Sequence, residues 1–372
     1  MKVGLIYEIE SVKPHSPDHE YRVFWDTMAQ IERADQLGFD SVWAVEHHFL
    51  NEFSYCSAPE VFLGCVSQRT SRIRIGHGVA VLPFNHPIRV AERIAVLDIM
   101  SNGRVEFGTG RSTTMDEILG FGLKPEETRP RWREAIEMIP RMWRDDPFSY
   151  EGQFWSVTRP VSVIPKPIQK PHPPMWVAAV SPDTFKLAAQ AGLGALGFTL
   201  GVEPSEVASR VRLYRDTPRD PHAPGAATNR QVSLNLMCMA GRDSGATDRA
   251  ARDAVLWYAR RGLELVQEVG RQAPRDEQSY HYLHQASRVD PADITRDYYE
   301  YMKEADLIAV GDAAEIVRVA ARYHEIGADQ ILFLVQYGGL SHAQVMETIE
   351  VLGVSVIPEL RSWPTPGAVT PS

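Results

Sequence analysis

The stretch Phe39-Asp40-Ser41-Val42-Trp43-Ala44-Val45-Glu46-His47-His48-Phe49 decides the fold, together with Arg74-Ile75-Gly76-His77-Gly78-Val79-Ala80-Val81-Leu82-Pro83 downstream. Each is an apolar, β-branched run that stops in polar or glycine residues, the pattern of a buried β-strand. Helix-period segments precede both, over 23–37 with Gly38 as the stop and over 59–70. The local unit is therefore strand, helix, strand. In a parallel barrel, Glu46-His47-His48 stands at the carboxyl end of strand two, the face on which such barrels carry their chemistry.

Outward from this pair, the same grammar predicts strand one over 2–8, two over 41–45, three over 73–82 and four over 104–109, then five over 175–180, six over 195–200, seven over 232–239 and eight over 330–335. Helical periodicity separates them, including a long helix after His86-Pro87 whose apolar positions Val90, Ile94, Leu97 and Met100 share one face. A hairpin insertion is expected around 150–155, and 165–174 is too proline-rich for helix or central strand. Segment 270–306 is polar yet holds Tyr280, Tyr282, Tyr298, Tyr299 and Tyr301, so it reads as a lid or substrate-facing insertion, or as a plain surface excursion. Eight strands alternating with helices point to an α/β fold of the (β/α)8 TIM-barrel type, with an open doubly wound sheet as the alternative. The expected organisation is one domain over 1–360 with insertions near 147–174 and 270–306, and a loose tail over 361–372.

The 372 residues are 44 % hydrophobic, ample for a large core, and carry a net charge of −9. That balance argues against nucleic acid or an anionic membrane as partner, because phosphates reward positive surface. Three cysteines without CxxC spacing suggest neither a disulfide framework nor a thiolate zinc site, and fit a reducing cytoplasm. The start of the chain reads as a strand rather than a signal peptide, and no apolar run reaches membrane-spanning length.

Among chemistry-bearing residues, His47 and His48 are consecutive, so on a strand their side chains diverge and cannot grip one metal ion. One of the two is then an ordinary hydrogen-bonded histidine, while His47 at the strand end is placed to move a proton. Ser181-Pro182-Asp183-Thr184 opens a helix after strand five. Capping explains Ser181 fully, yet two hydroxyls beside free amides also make a phosphate cradle, with Arg111 as a source of positive charge. Gly76, Gly78, Gly108 and Gly110 at strand ends fit either tight packing or the approach of a flat ring system. No GxGxxG or P-loop motif occurs. A glycosidase needs two facing carboxylates, for which Glu8 and Glu46 are the available pair.

With these residues in view, the sequence resembles the luciferase-like flavin monooxygenases. The resemblance is carried by Gly38 to Trp43 leading into Glu46-His47-His48-Phe49, by Gly76 to Pro83 with His86-Pro87, by Leu97-Asp98-Ile99-Met100-Ser101-Asn102-Gly103-Arg104, and by Phe107-Gly108-Thr109-Gly110-Arg111. It implies a (β/α)8 barrel that takes reduced FMN from a separate flavin reductase and uses O2, through a peroxyflavin, to oxygenate a small organic substrate. It also implies His47 as the catalytic histidine and a non-proline cis peptide at Gly78-Val79 beneath the flavin. Arg111, Ser181 and Thr184 fall on the phosphate-binding positions, with Val180 beside them. Val180 stands where luciferase has a glutamate and Gly110 where it has a reactive cysteine, so light emission is not expected. A homodimer through the helices after strands two and three is implied as well. The alternative on the same scaffold is a deazaflavin-dependent dehydrogenase or reductase; a flavin-binding protein without turnover is the third.

Overall fold

The computed structural model describes residues 1–112, 114–272 and 288–364. In chain order its strands are β1 (Lys2–Tyr7), β2 (Ser41–Ala44), β3 (Arg74–His77), β4 (Ala80–Val81), β5 (Val105–Gly110), β6 (Phe148–Glu151), β7 (Ser156–Val161), β8 (Met175–Ala179), β9 (Gly194–Gly197), β10 (Val232–Ala240), β11 (Ile308–Gly311) and β12 (Gln330–Leu334). β1 pairs in parallel with both β2 and β12, so Gly4 lies between Ser41 and Leu332. The ladder then runs through β3, β5, β8, β9 and β10 and returns to β12. Eight parallel positions thus close on themselves, and the open doubly wound alternative is excluded.

Barrel strands are apolar throughout because both of their faces are covered. All nine residues of β10 are buried. Inside the barrel, Trp43 of β2 meets Trp176 of β8 edge to face at 5.6 Å, a contact between non-adjacent strands that only the interior allows. Trp176 Nε1 donates to Glu106 Oε2 at 2.7 Å, which satisfies the indole. Room for these rings comes from missing side chains. A Cβ at Gly76 would sit 2.2 Å from the Trp43 ring, and one at Gly194 2.3 Å from Trp176. Gly76→Ala is therefore expected to cost about 1–3 kcal/mol, the range for overpacking a filled core. A urea midpoint equal to that of the wild type would show that Trp43 can move aside.

Helices end where the sequence supplies caps. Gly38, Gly192 and Gly327 close His19–Leu37, Pro182–Ala191 and Ala313–Ile326 in the left-handed region, with φ of 87°, 70° and 103°. The expected hairpin is β6–β7, antiparallel. Three details differ from the sequence reading. Strand three is not continuous over 73–82: it is split into β3 and β4 around Gly78-Val79, whose peptide bond is cis. The helix after β5, which helical periodicity alone reads over 131–144, begins earlier, at Pro125, with the proline in the first turn where its missing N–H costs nothing. Residues 296–304 form a helix and 308–311 the short parallel strand β11 on β10, too brief for periodicity to reveal. Of the tyrosine-rich segment, Tyr280 and Tyr282 lie outside the described residues, and Tyr299 is buried with its hydroxyl donating to Asp248 Oδ1 at 2.9 Å. The helix Ile357–Arg361 ends on the first residue of the expected tail, of which 365–372 lie outside the described residues. No helix among the described residues is long and apolar enough to cross a membrane.

Candidate active site

At the carboxyl ends of the strands lies a cavity of about 450 Å3. Each wall is a strand's last residue or the residues just beyond it. Glu8 follows β1, His47 follows β2, Gly78-Val79 separates β3 from β4, Arg111 follows β5 and Val180 follows β8. Thr184 reaches the cavity from the first turn of the helix Pro182–Ala191. Ser181 caps that helix, its Oγ accepting from Thr184 N at 3.3 Å and lying 3.0 Å from Thr184 Oγ1. Ser181 therefore stands one hydrogen bond behind the cavity wall rather than on it. Arg111 Nη1 donates to Thr128 Oγ1 at 3.3 Å, and Arg129 adds a second guanidinium to the lining.

His47 sits at the centre of a charged network. Its Nδ1 is 2.9 Å from Glu117 Oε1, and its Nε2 is 3.6 Å from Glu8 Oε2. Glu117 is buried and accepts three further hydrogen bonds, from Ser112 Oγ at 2.5 Å, Thr114 Oγ1 at 2.6 Å and His48 N at 2.9 Å. Burial pushes the His47 imidazole down, but Glu117, with help from Glu8 and Glu46, outweighs it and holds the group up at about 9. Burial likewise pushes Glu117 up, and His47 with the two hydroxyls pulls it down to about 2. At neutral pH the pair is an imidazolium on a carboxylate. With Nδ1–H committed to Glu117, the proton on Nε2 is the one presented to the cavity.

Glu8 is of the opposite kind. It is 2 % exposed, and burial raises its carboxyl, opposed by His47 and by Tyr258, whose hydroxyl donates to Oε1 at 3.3 Å. Its Oε2 is buried with no hydrogen-bond partner among the described residues. The facing-carboxylate reading fails at Glu46, whose oxygens accept from Val81 N at 2.7 Å and Asn85 Nδ2 at 2.9 Å. His48, as divergence along a strand requires, turns away to Glu46 Oε1 at 3.2 Å and packs edge-on against Phe121. Among the described residues no group of histidine, cysteine and carboxylate side chains could hold a metal ion.

Packing constrains the strand-end glycines, two of which, Gly78 and Gly110, also line the cavity. A Cβ at Gly108 would lie 2.0 Å from His77 O, and one at Gly110 2.3 Å from Val79 Cγ2, so the barrel itself takes up their space. Sequence reasoning missed Glu117, Tyr258 and Arg129. Glu117 had a signal, since Thr114-Met115-Asp116-Glu117 has capping-box spacing, a pattern whose ordinary meaning hides a carboxylate turned toward a histidine.

A closed parallel barrel whose C-terminal mouth encloses a cavity with one imidazolium, two guanidiniums and otherwise mostly apolar walls is a small-molecule (β/α)8 barrel. The family model described as luciferase-like monooxygenase matches residues 2–330, and the chain belongs to that family. It is 33 % identical over 195 residues to the oxygenase component of a flavin-dependent trigonelline monooxygenase from Acinetobacter baylyi, covering 52 % of each chain. It is 31 % identical over 176 residues to an F420-dependent glucose-6-phosphate dehydrogenase from Amycolatopsis mediterranei, covering 45 % of this chain and 52 % of the relative. The matched part thus spans about half the length of each of these two relatives. Among solved structures, monooxygenase RslO1 from Streptomyces bottropensis superposes with a TM-score of 0.78 at 25 % identity, over 97 % of this chain and all of the other.

Proposed function

We propose that the protein is an FMN-dependent monooxygenase that receives reduced flavin from a separate reductase and uses O2 to oxygenate a small organic substrate. The observation that carries this reading is the division of one cavity into two poles: the His47 imidazolium on one side, and Arg111 with the hydroxyl-bearing N-terminus of Pro182–Ala191 on another. The donor set suits a phosphorylated, planar cofactor. Guanidinium, Thr184 hydroxyl and helix-end amides are phosphate ligands, and the backbone of Gly78-Val79 and Gly110 offers a surface without polar side chains. Reduced flavin, when bound, supplies the electrons that activate dioxygen. Val180 is held by Arg210, whose guanidinium donates to its carbonyl, so the phosphate seat is braced from behind. His47 holds a proton at Nε2 for negative charge that develops in the cavity. Trp132, Leu50 and Phe53 line the same space and exclude water around that charge.

Arg111→Ala is expected to weaken FMN binding by roughly 10- to 100-fold, the loss for a hydrogen bond to a charged group. A dissociation constant unmoved in a fluorescence titration removes Arg111 from the phosphate seat. The oligomer proposed is a homodimer through Pro59–Arg69 and Pro87–Met100. These helices leave Val61, Val96, Ile99 and Met100 exposed on their outer faces, at 65, 47, 37 and 53 %. Val96→Asp is expected to give monomers by sedimentation; a wild-type protein that is itself monomeric at micromolar concentration eliminates the interface.

The deazaflavin reading is favoured by one observation, the likeness to a dehydrogenase that uses that coenzyme. Anaerobic titration with reduced FMN and with reduced deazaflavin, followed by admission of oxygen, separates the two. The first reading expects tight FMN binding and oxygen uptake. Binding of deazaflavin alone, with no uptake, transfers the assignment to the second. The exchange of free reduced flavin fits a cytoplasmic protein, where buried thiols such as Cys56 and Cys238 stay reduced.

A further inference from the structure

An apolar part of the cavity is lined by the helix Ser244–Gln272, which turns one face inward through Tyr258, Ala259, Gly262, Leu263 and Val266. Spacings of three and four residues put these on a single stripe. Across from it stand apolar side chains from the loops after β2 and β9. In this chamber the helix gives up a side chain where one would fit. A Cβ at Gly262 would meet nothing within 4 Å, so neither packing nor chain geometry calls for glycine there. A glycine in a helix interior costs roughly 0.5–1 kcal/mol relative to alanine. The position keeps the volume open at that cost. The other feature of the chamber is the Glu8 carboxyl, buried against the Tyr258 hydroxyl, with its second oxygen 3.6 Å from His47 Nε2 and without a hydrogen bond among the described residues. A buried polar atom without a hydrogen bond is costly unless something completes it.

We propose that this chamber is the substrate subsite, that it takes an uncharged and largely apolar compound with one oxygen acceptor, such as a long-chain ketone, and that Glu8 anchors the oxygen while Gly262 makes room for the body. The inference rests on the reading that the cofactor occupies the Arg111 pole, since that leaves this chamber to the substrate. Burial raises the Glu8 carboxyl against the pull of His47 and of the Tyr258 hydroxyl on its other oxygen, and the protonated form is the one that donates to a ligand oxygen. A carbonyl oxygen would give Glu8 Oε2 the hydrogen bond it lacks, whereas a ligand carboxylate would set a second acid against Glu8 and bury its charge among mostly apolar walls. Gly262 is then a specificity-determining position and Glu8 a substrate anchor.

The test uses the full chain and the neutral fluorophore N-phenylnaphthylamine, which brightens in apolar cavities, with flavin present and absent. Saturable binding is expected, displaced by methyl nonyl ketone at least ten times more effectively than by decanoate. Gly262→Trp is expected to weaken probe binding by ten-fold or more while FMN affinity stays within about three-fold of wild type, which also reports that the fold is intact. Ala259→Phe serves as the second obstruction if the first variant does not fold. Glu8→Gln, which keeps an N–H donor, is expected to retain the preference for the ketone over undecane, and Glu8→Leu to lose most of it. Equal displacement by decanoate, or unchanged probe binding in both obstructed variants, overturns the proposal. Failure of FMN to bind the wild type removes the flavin reading instead, and leaves the probe result to be read without it.

Discussion

His47→Ala is expected to lower turnover with reduced FMN by about 10²- to 10⁴-fold, the range for a positioned proton-transfer group, while FMN affinity stays nearly constant. The split follows from where the side chain stands. His47 follows β2, whereas Arg111 follows β5 and Thr184 stands in the helix after β8, so the proposed phosphate seat is built on other strands. The fold is expected to persist at a cost in stability, because Glu117 loses its imidazolium but keeps its hydrogen bonds from Ser112, Thr114 and the His48 amide. Single-turnover kinetics beside a binding titration make the comparison. Turnover equal to wild type discards His47 as the proton-holding group, and a parallel collapse of FMN affinity reassigns it to cofactor binding.

Glu117→Gln is expected to destabilise the protein by about 3–5 kcal/mol near pH 6, because it breaks a buried ion pair from one side. The effect depends on pH with a definite sign. The folded protein holds His47 at about 9 against an ordinary 6.5, so the stability this contributes is complete below pH 6.5 and is lost as pH rises through 9. Glu117 is held at about 2 against an ordinary 4.5, so its share is present above pH 4.5 and is lost as pH falls through 2. The gap between wild type and variant is thus widest between the two ordinary values and narrows toward pH 9. Urea unfolding at several pH values measures it. A gap that stays constant from pH 6 to 10 means that the imidazole is not charged by Glu117 in the folded state. Activity carries the same signature: the alkaline limb that His47 sets in the wild type moves to lower pH in the variant.

The order of the eight barrel strands was legible because each is a short apolar run bounded by caps or glycines, and burial on both faces forces that composition on parallel strands. The positions of His47, Arg111 and Thr184 at strand ends or helix starts followed from the same pattern, since in a parallel barrel the carboxyl ends share one face. Strand β11 was not legible, as four residues carry no period. The split of strand three into β3 and β4 was not legible either, because 73–82 reads as one β-strand pattern with no proline inside it.

What the sequence by itself determined is which residues reach the mouth of the barrel, because strand polarity and length settle that locally. Which of them are charged, and toward what, was decided only by tertiary structure. Glu117 lies 70 residues from His47 and Tyr258 lies 250 from Glu8, and no local pattern links either pair. Both glutamates are buried, yet Glu117 has the imidazolium at 2.9 Å and three further donors, while Glu8 has it only at 3.6 Å and a single phenol besides. The field of the folded site, summed over partners brought together from distant parts of the chain, therefore shifts two identical side chains in opposite directions.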